Sequence, residues 1–163
     1  EAVARLAAPL GMEISAFVRR DHPAQGGIAF TRSLHDLVAT CDHLVLCLPL
    51  TDATRGIVDA ALLAAARPGL HLINVARGLL IDDAALLAAL DSGRIAAATL
   101  DVTHPEPPAA GHPFYCHPAI RLMPHVAAMA EGSEERLARV LGANLSAYIA
   151  GAPLDGRVTI GPR

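Results

Sequence analysis

The stretch Leu70–Asp101, LHLINVARGLLIDDAALLAALDSGRIAAATLD, decides the fold. Leu70–Val75 is an apolar run of buried-strand length, and Ala96–Asp101 is a second. Between them, Asp82 is placed to cap a helix over Asp83–Ser92, and Gly93 is placed to stop it. A strand, a helix and a strand in so short a span imply a right-handed crossover between parallel neighbours. The alternation continues outward in both directions. Upstream, His43–Leu48 reads as a buried strand, preceded by a helix that Ser33 caps and that runs to about Thr40. Asp59–Ala66 reads as a helix broken by Pro68-Gly69. Nearer the start lie a short strand at Glu13–Phe17 and an Ala/Leu-rich helix at Ala2–Leu10, with Gly11 to end it. Downstream, Val102–Pro118 reads as a long loop rich in Pro and His, and Arg121–Met123 as a last short strand. A long helix follows at Glu134–Ile149, then a polar tail at Gly151–Arg163. The expected fold class is α/β, a doubly wound parallel sheet with helices on both faces. Ligands in such sheets bind at the carboxyl ends of the strands.

Composition agrees with this layout and excludes several functions. Over 163 residues, 53% are hydrophobic and only 3% aromatic. The core must therefore be built from Ala, Leu, Ile and Val, which suits strands that are apolar on both faces. Thirteen Lys and Arg nearly balance sixteen Asp and Glu, for a net charge of -3. Such a chain has no basic field for nucleic acid or an anionic membrane surface. Apolar runs such as Leu44–Leu50 are far too short to span a bilayer. Cys41, Cys47 and Cys116 form an odd set without a pairing pattern, read as reduced thiols of a cytoplasmic protein.

Three residues with chemistry fall just after expected strands. Arg77 ends the run Leu72-Ile73-Asn74-Val75-Ala76-Arg77-Gly78, where a planar guanidinium can grip a carboxylate with two hydrogen bonds. A surface Arg beside a turn Gly is the plainer reading. Glu106 sits in Pro105-Glu106-Pro107-Pro108, and flanking prolines restrict the backbone that holds it. A stiff, solvated loop explains the same pattern. His125 follows Met123-Pro124, and His is the usual acid or base near neutral pH. The chain has eight His, and His104, His112 and His117 are among those that precede Pro. They raise a metal-site alternative, but they lack the i,i+4 or Cys-x-x-Cys spacing that would support it.

In combination these segments are specific. Asn-Val-Ala-Arg-Gly, then Leu100-Asp101-Val102 with Pro-Glu-Pro, then Pro-His-Val-Ala-Ala, resemble the D-isomer-specific 2-hydroxyacid dehydrogenase family in order and spacing. Arg77 and Glu106 are 29 positions apart, and Glu106 and His125 are 19 apart. Leu48-Pro49-Leu50-Thr51-Asp52-Ala53-Thr54-Arg55-Gly56 is similar to the family's loop lining the cofactor cleft. The resemblance runs from residue 1 to about Leu154 and implies a Rossmann-type domain. It further implies that His125 exchanges a proton with the carbonyl oxygen of a 2-keto acid. By the same resemblance Glu106 orients His125 and favours its charged form, and Arg77 binds the substrate carboxylate and polarises the carbonyl. Asp101 is placed beside the nicotinamide carboxamide. Leu48, Pro49, Thr54, Val75, Ala76 and Ala127, with Arg77 and His125, are placed along the cofactor.

A dinucleotide fold carries G-x-G-x-x-G between its first strand and first helix. The chain lacks it, and Glu1–Leu6 looks like the helix that follows such a turn. The first strand and its glycines are therefore expected upstream of residue 1, and a substrate domain is expected outside residues 1–163. Residues 1–128 read as the nucleotide-binding domain, and 129–163 as a helix and tail returning towards that substrate domain. Where an NAD enzyme places an acid to bind the ribose, this chain has Val18, followed by Arg19 and Arg20. That favours NADP(H), with Arg19 and Arg20 meeting the 2′-phosphate. NAD(H) is the alternative, with Asp21 supplying the acid. Within the family the chain looks most similar to the glyoxylate/hydroxypyruvate reductase branch. The alternatives are an NAD-dependent enzyme of the 3-phosphoglycerate or D-lactate type, a dinucleotide-sensing corepressor-like protein, and an inert remnant. The partners implied are a small 2-keto or 2-hydroxy acid and a second copy of the chain, with no nucleic acid and no membrane.

Overall fold

A computed structural model describes residues 2–19, 22 and 26–157. The chain divides into two compact units, residues 1–125 and 126–163. The sequence pattern had placed this division after residue 128.

The first unit is an α/β assembly of parallel strands. It opens with α1 (Ala2–Ala7), which tightens into a 3-10 turn at Ala8–Leu10. Gly11 ends it at φ 78°, a left-handed conformation that glycine enters without a Cβ clash. Then follow β1 (Ile14–Phe17), β2 (Ile28–Thr31), α2 (Leu34–Thr40), β3 (His43–Leu46), α3 (Ala60–Ala65), β4 (His71–Asn74), α4 (Asp83–Asp91), β5 (Ala97–Leu100) and β6 (Ile120–Leu122). The helix starts are those the caps dictate. Ser33 accepts the Asp36 N–H at 3.1 Å, and Asp59 accepts the Leu62 N–H at 2.8 Å. Asp82 accepts from both Ala84 and Ala85 at 3.0 Å.

Two features depart from the sequence reading. The strand β2 is additional: it is four residues long and follows Gly26-Gly27, too short for its Ile28/Phe30 alternation to register. In addition, pairing runs in two sheets, not one. β1 pairs with β2, and β3-β4-β5-β6 form a second, all-parallel sheet. Among the described residues no ladder joins β1 to β3, so each keeps one unpaired edge.

The four-stranded sheet buries one face. Leu44, Leu46, Leu72, Asn74, Ala98 and Leu100 point there, and Leu62, Leu63, Leu86 and Leu90 of α3 and α4 complete the same core. Each buried Leu contributes about 2 kcal/mol of transfer free energy. The opposite face is half-exposed at Val45, Ile73, Ala97 and Thr99, so helical cover on both faces is not complete among the described residues. Among the described residues Phe114 is the one buried aromatic of the core.

The second unit is dominated by α5 (Ser133–Ile149), a helix with no buried residue. Its tail folds back on it: Asn144 exchanges two hydrogen bonds with the Asp155 main chain, at 2.8 and 3.1 Å. No described helix is long and apolar enough to cross a membrane.

Candidate active site

The parallel strands bring the singled-out side chains of the first unit to one end of the sheet. β3, β4, β5 and β6 run in the same direction, so their carboxyl ends lie together, and Leu48, Arg77, Asp101 and His125 each follow one of them.

Arg77 is held by a turn, and Asn74 makes the turn. Asn74 is 0% exposed. Its Oδ1 accepts the Ala76 N–H at 3.0 Å, and its Nδ2 donates to the Arg77 carbonyl at 2.9 Å. The Arg77 guanidinium is exposed and donates from Nη1 to the Ala76 carbonyl at 2.6 Å. Most of its donors are left for a ligand. Gly78 follows against the loop that leaves β5. A Cβ added there would lie 2.1 Å from the Thr103 carbonyl carbon and 2.7 Å from the His104 nitrogen. Only a residue without a side chain lets the two segments nest this closely.

The Glu106 loop is built on the same contact. Asp101 is buried, and its N–H donates to the Asn74 carbonyl at 2.9 Å. Thr103 is also buried, and its hydroxyl donates to the Pro105 carbonyl at 2.9 Å. The peptide bonds before Pro105 and Pro107 are both cis. Glu106 then meets His125, with Oε1 2.5 Å from Nδ1. Both side chains are substantially exposed, at 40% and 47%. An exposed pair adds about 0–1 kcal/mol to stability, so the contact is better understood as orienting the ring. With Nδ1 turned to the carboxylate, Nε2 is the nitrogen that faces outward. His125 holds φ 56°, the one described non-glycine residue with positive φ.

At the carboxyl ends of β3 and β4 a groove of about 590 Å³ is lined by Cys47, Leu48, Pro49 and Leu50 after β3, and by Val75, Ala76 and Arg77 after β4. That volume lies within the range of small-molecule clefts. Its side chains are mostly apolar, with the Arg77 guanidinium the one charged group among those that line it, which suits a flat ring and an acid. Such a lining fits the nicotinamide end of a dinucleotide. Among the described residues no group of three or more His, Cys, Asp or Glu side chains is placed to hold a metal ion.

Comparison with known proteins decides the family. Residues 1–127 match the model for "D-isomer specific 2-hydroxyacid dehydrogenase, NAD binding domain". The chain belongs to this family. Glyoxylate reductase of Aeropyrum pernix is 36% identical over 152 residues, covering 91% of this chain and 45% of that protein. D-3-phosphoglycerate dehydrogenase of Bacillus subtilis is 29% identical over 161 residues, covering 97% of this chain and 30% of that protein. The crystal structure of a D-isomer specific 2-hydroxyacid dehydrogenase from Xanthobacter autotrophicus Py2, in complex with NADPH and MES, aligns with a TM-score of 0.87. It is 35% identical, over 97% of this chain and 65% of that one. The chain spans less than half the length of the two curated relatives.

Not every residue singled out in this 2-hydroxyacid dehydrogenase domain lines the groove. Thr54 is 3% exposed. Its hydroxyl donates to the Pro49 carbonyl at 2.7 Å and accepts the Thr51 N–H at 2.8 Å, so it closes the loop that presents Leu48 and Pro49. Arg19 is exposed just beyond β1. Arg20 and Asp21 lie outside the described residues. Ala127 belongs to the second unit. His112 and His117 make contacts within the fold: His112 caps the turn at Phe114 at 3.3 Å, and His117 pairs with Asp91 at 3.1 Å. Burial pushes the Asp83 carboxyl up, a rise that His112 and His104 oppose. Asn74, Thr103 and Cys47 were not marked from the sequence. The buried Asn at a strand end was the available signal for the first. Nothing in sequence marks the other two.

Proposed function

We propose that this domain serves an oxidoreductase that reduces a small 2-keto acid of the glyoxylate or hydroxypyruvate kind to the 2-hydroxy acid, with NADPH. The observation that carries the reading is the His125–Glu106 contact just after β6, at the same carboxyl end of the parallel sheet as the groove that Arg77 helps to line. Bound NADPH supplies the hydride, and Leu48, Pro49, Val75 and Ala76 would hold its nicotinamide end. Arg77 grips the substrate carboxylate and draws electron density from the carbonyl. His125, oriented by Glu106, delivers a proton from Nε2 to the carbonyl oxygen and takes one back in the reverse direction. Strands two steps apart in a sheet are about 10 Å apart, so the ends of β4 and β6 leave room for a small acid between Arg77 and His125. Arg19 supports the NADPH choice, because a guanidinium meets a 2′-phosphate and no described acidic residue follows β1 at that point.

A second reading is an NAD-dependent enzyme of the 3-phosphoglycerate type, favoured by the B. subtilis relative that aligns with nearly the whole chain. One assay separates them. The protein is offered glyoxylate, hydroxypyruvate and 3-phosphohydroxypyruvate, with NADPH and with NADH, and absorbance is followed. Faster oxidation of NADPH with the first two substrates is expected. Faster oxidation of NADH overturns the arginine argument, and no turnover of any 2-keto acid supports a dinucleotide sensor. A homodimer and a cytoplasmic location belong to the same proposal and are tested by light scattering and cell fractionation.

A further inference from the structure

The fully buried Asn74 stands out in its row. In sheet register it lies between Leu46 on β3 and Leu100 on β5, both buried. Burial alone would place a third Leu there. The amide instead puts both of its groups on one turn, receiving the Ala76 N–H and donating to the Arg77 carbonyl. Its own carbonyl takes the Asp101 N–H. The residue after Arg77, Gly78, is pressed against Thr103 with no room for a Cβ. The turn bearing Arg77 is therefore tied at Asn74 and wedged at Gly78, and Arg77 is the only long side chain it presents to the groove.

We infer that Asn74 is a positioning residue for Arg77: its side-chain amide fixes the turn that aims the guanidinium at the substrate carboxylate. This rests on the role proposed for Arg77 above. Asn74 touches neither substrate nor cofactor and acts through the residue three positions on. Replacing it with Leu matches its neighbours and keeps the core packed, while Asp keeps the acceptor for Ala76 and loses the donor to Arg77.

The test uses Asn74→Leu, Asn74→Asp, Arg77→Ala and the double variant Asn74→Leu/Arg77→Ala, with glyoxylate and NADPH, and with oxalate as a non-reacting carboxylate probe. Thermal unfolding confirms that each is folded. For both Asn74 variants, KM for glyoxylate rises about tenfold, because small misplacements of a positioning group are costly, and oxalate affinity falls in parallel. NADPH affinity falls less than oxalate affinity, since the same amide also holds the Ala76 N–H. In the Arg77→Ala background, adding Asn74→Leu has little further effect, the signature of two residues acting as one unit. A lowered kcat with unchanged KM overturns the inference, since that reports only a smaller folded fraction. Independent, multiplying effects of the two substitutions overturn it too. If the unaltered protein turns over no 2-keto acid, the functional reading fails, and oxalate titration alone decides Asn74. Weaker oxalate binding by the Asn74 variants than by the unaltered protein then supports the inference, and equal binding, or none by the unaltered protein, overturns it.

Discussion

His125 stands on a left-handed backbone at φ 56°, a conformation that costs a non-glycine residue about 1 kcal/mol. Its partner pair with Glu106 is half open to solvent and returns little stability. A residue kept under strain with so weak a structural reward fits the acid–base role proposed for it. His125→Ala is therefore expected to lower turnover by about 10²- to 10⁴-fold, with NADPH affinity measured by fluorescence titration unchanged. Surviving activity would make His125 a structural residue. Gly78 works in the opposite sense, through what it lacks. Gly78→Ala places a methyl within 2.1 Å of the Thr103 backbone, and overpacking of this kind costs about 1–3 kcal/mol. Denaturant unfolding should show that loss, together with reduced activity, because the Arg77 turn and the Glu106 loop are forced apart. Arg77, Glu106 and His125 were singled out from the sequence by the order and spacing of the segments that carry them, since each alone had a plainer reading. Asn74 and Thr103 were not, because a polar side chain that spends its hydrogen bonds on nearby backbone looks the same in sequence as one that meets solvent.

Strand β4 carries a second consequence on its half-exposed face. His71 lies 3.3 Å from His43 and 2.9 Å from the Thr99 hydroxyl. Burial, then the His43 and Arg121 charges, hold its imidazole below the ordinary 6.5. A base whose folded value is depressed binds its proton more readily when unfolded. The stability it contributes is present above the unfolded value and is lost as pH falls through the window beneath it. The melting temperature should therefore fall as pH is lowered from about 7.5 to about 5.5, and His71→Gln should make that slope shallower. An unchanged slope would assign the pH response elsewhere. Elements with strong caps, such as α2 at Ser33 and α4 at Asp82, were readable to within a residue or so. β2 was not, since four residues bounded by two glycines carry too little periodicity. The division of the strands into two ladders was also beyond reach, because hydrophobic pattern marks where strands occur and not which strands hydrogen-bond.

At the scale of the whole chain, apolar surface is unevenly covered. In the second unit, Leu137, Val140, Leu141, Leu145, Tyr148 and Ile149 are all at least 51% exposed and recur at the i, i+3, i+4 spacing of one helix face. Patches of this size mark contact surfaces. Residues 1–163 alone are expected to associate as concentration rises, measured by light scattering, and Leu141→Glu with Leu145→Glu should return them towards the monomer mass. A monomer at every concentration would show that the face is tolerated in water. The core described above, aliphatic apart from Phe114, has an optical consequence as well. These 163 residues contain no tryptophan, so with excitation near the red edge of protein absorption they are dark. Emission from a reduced nicotinamide can be recorded against them without energy transfer from the polypeptide. A single Tyr115→Trp substitution, on the loop that carries Glu106, would then act as a lamp placed at one known address.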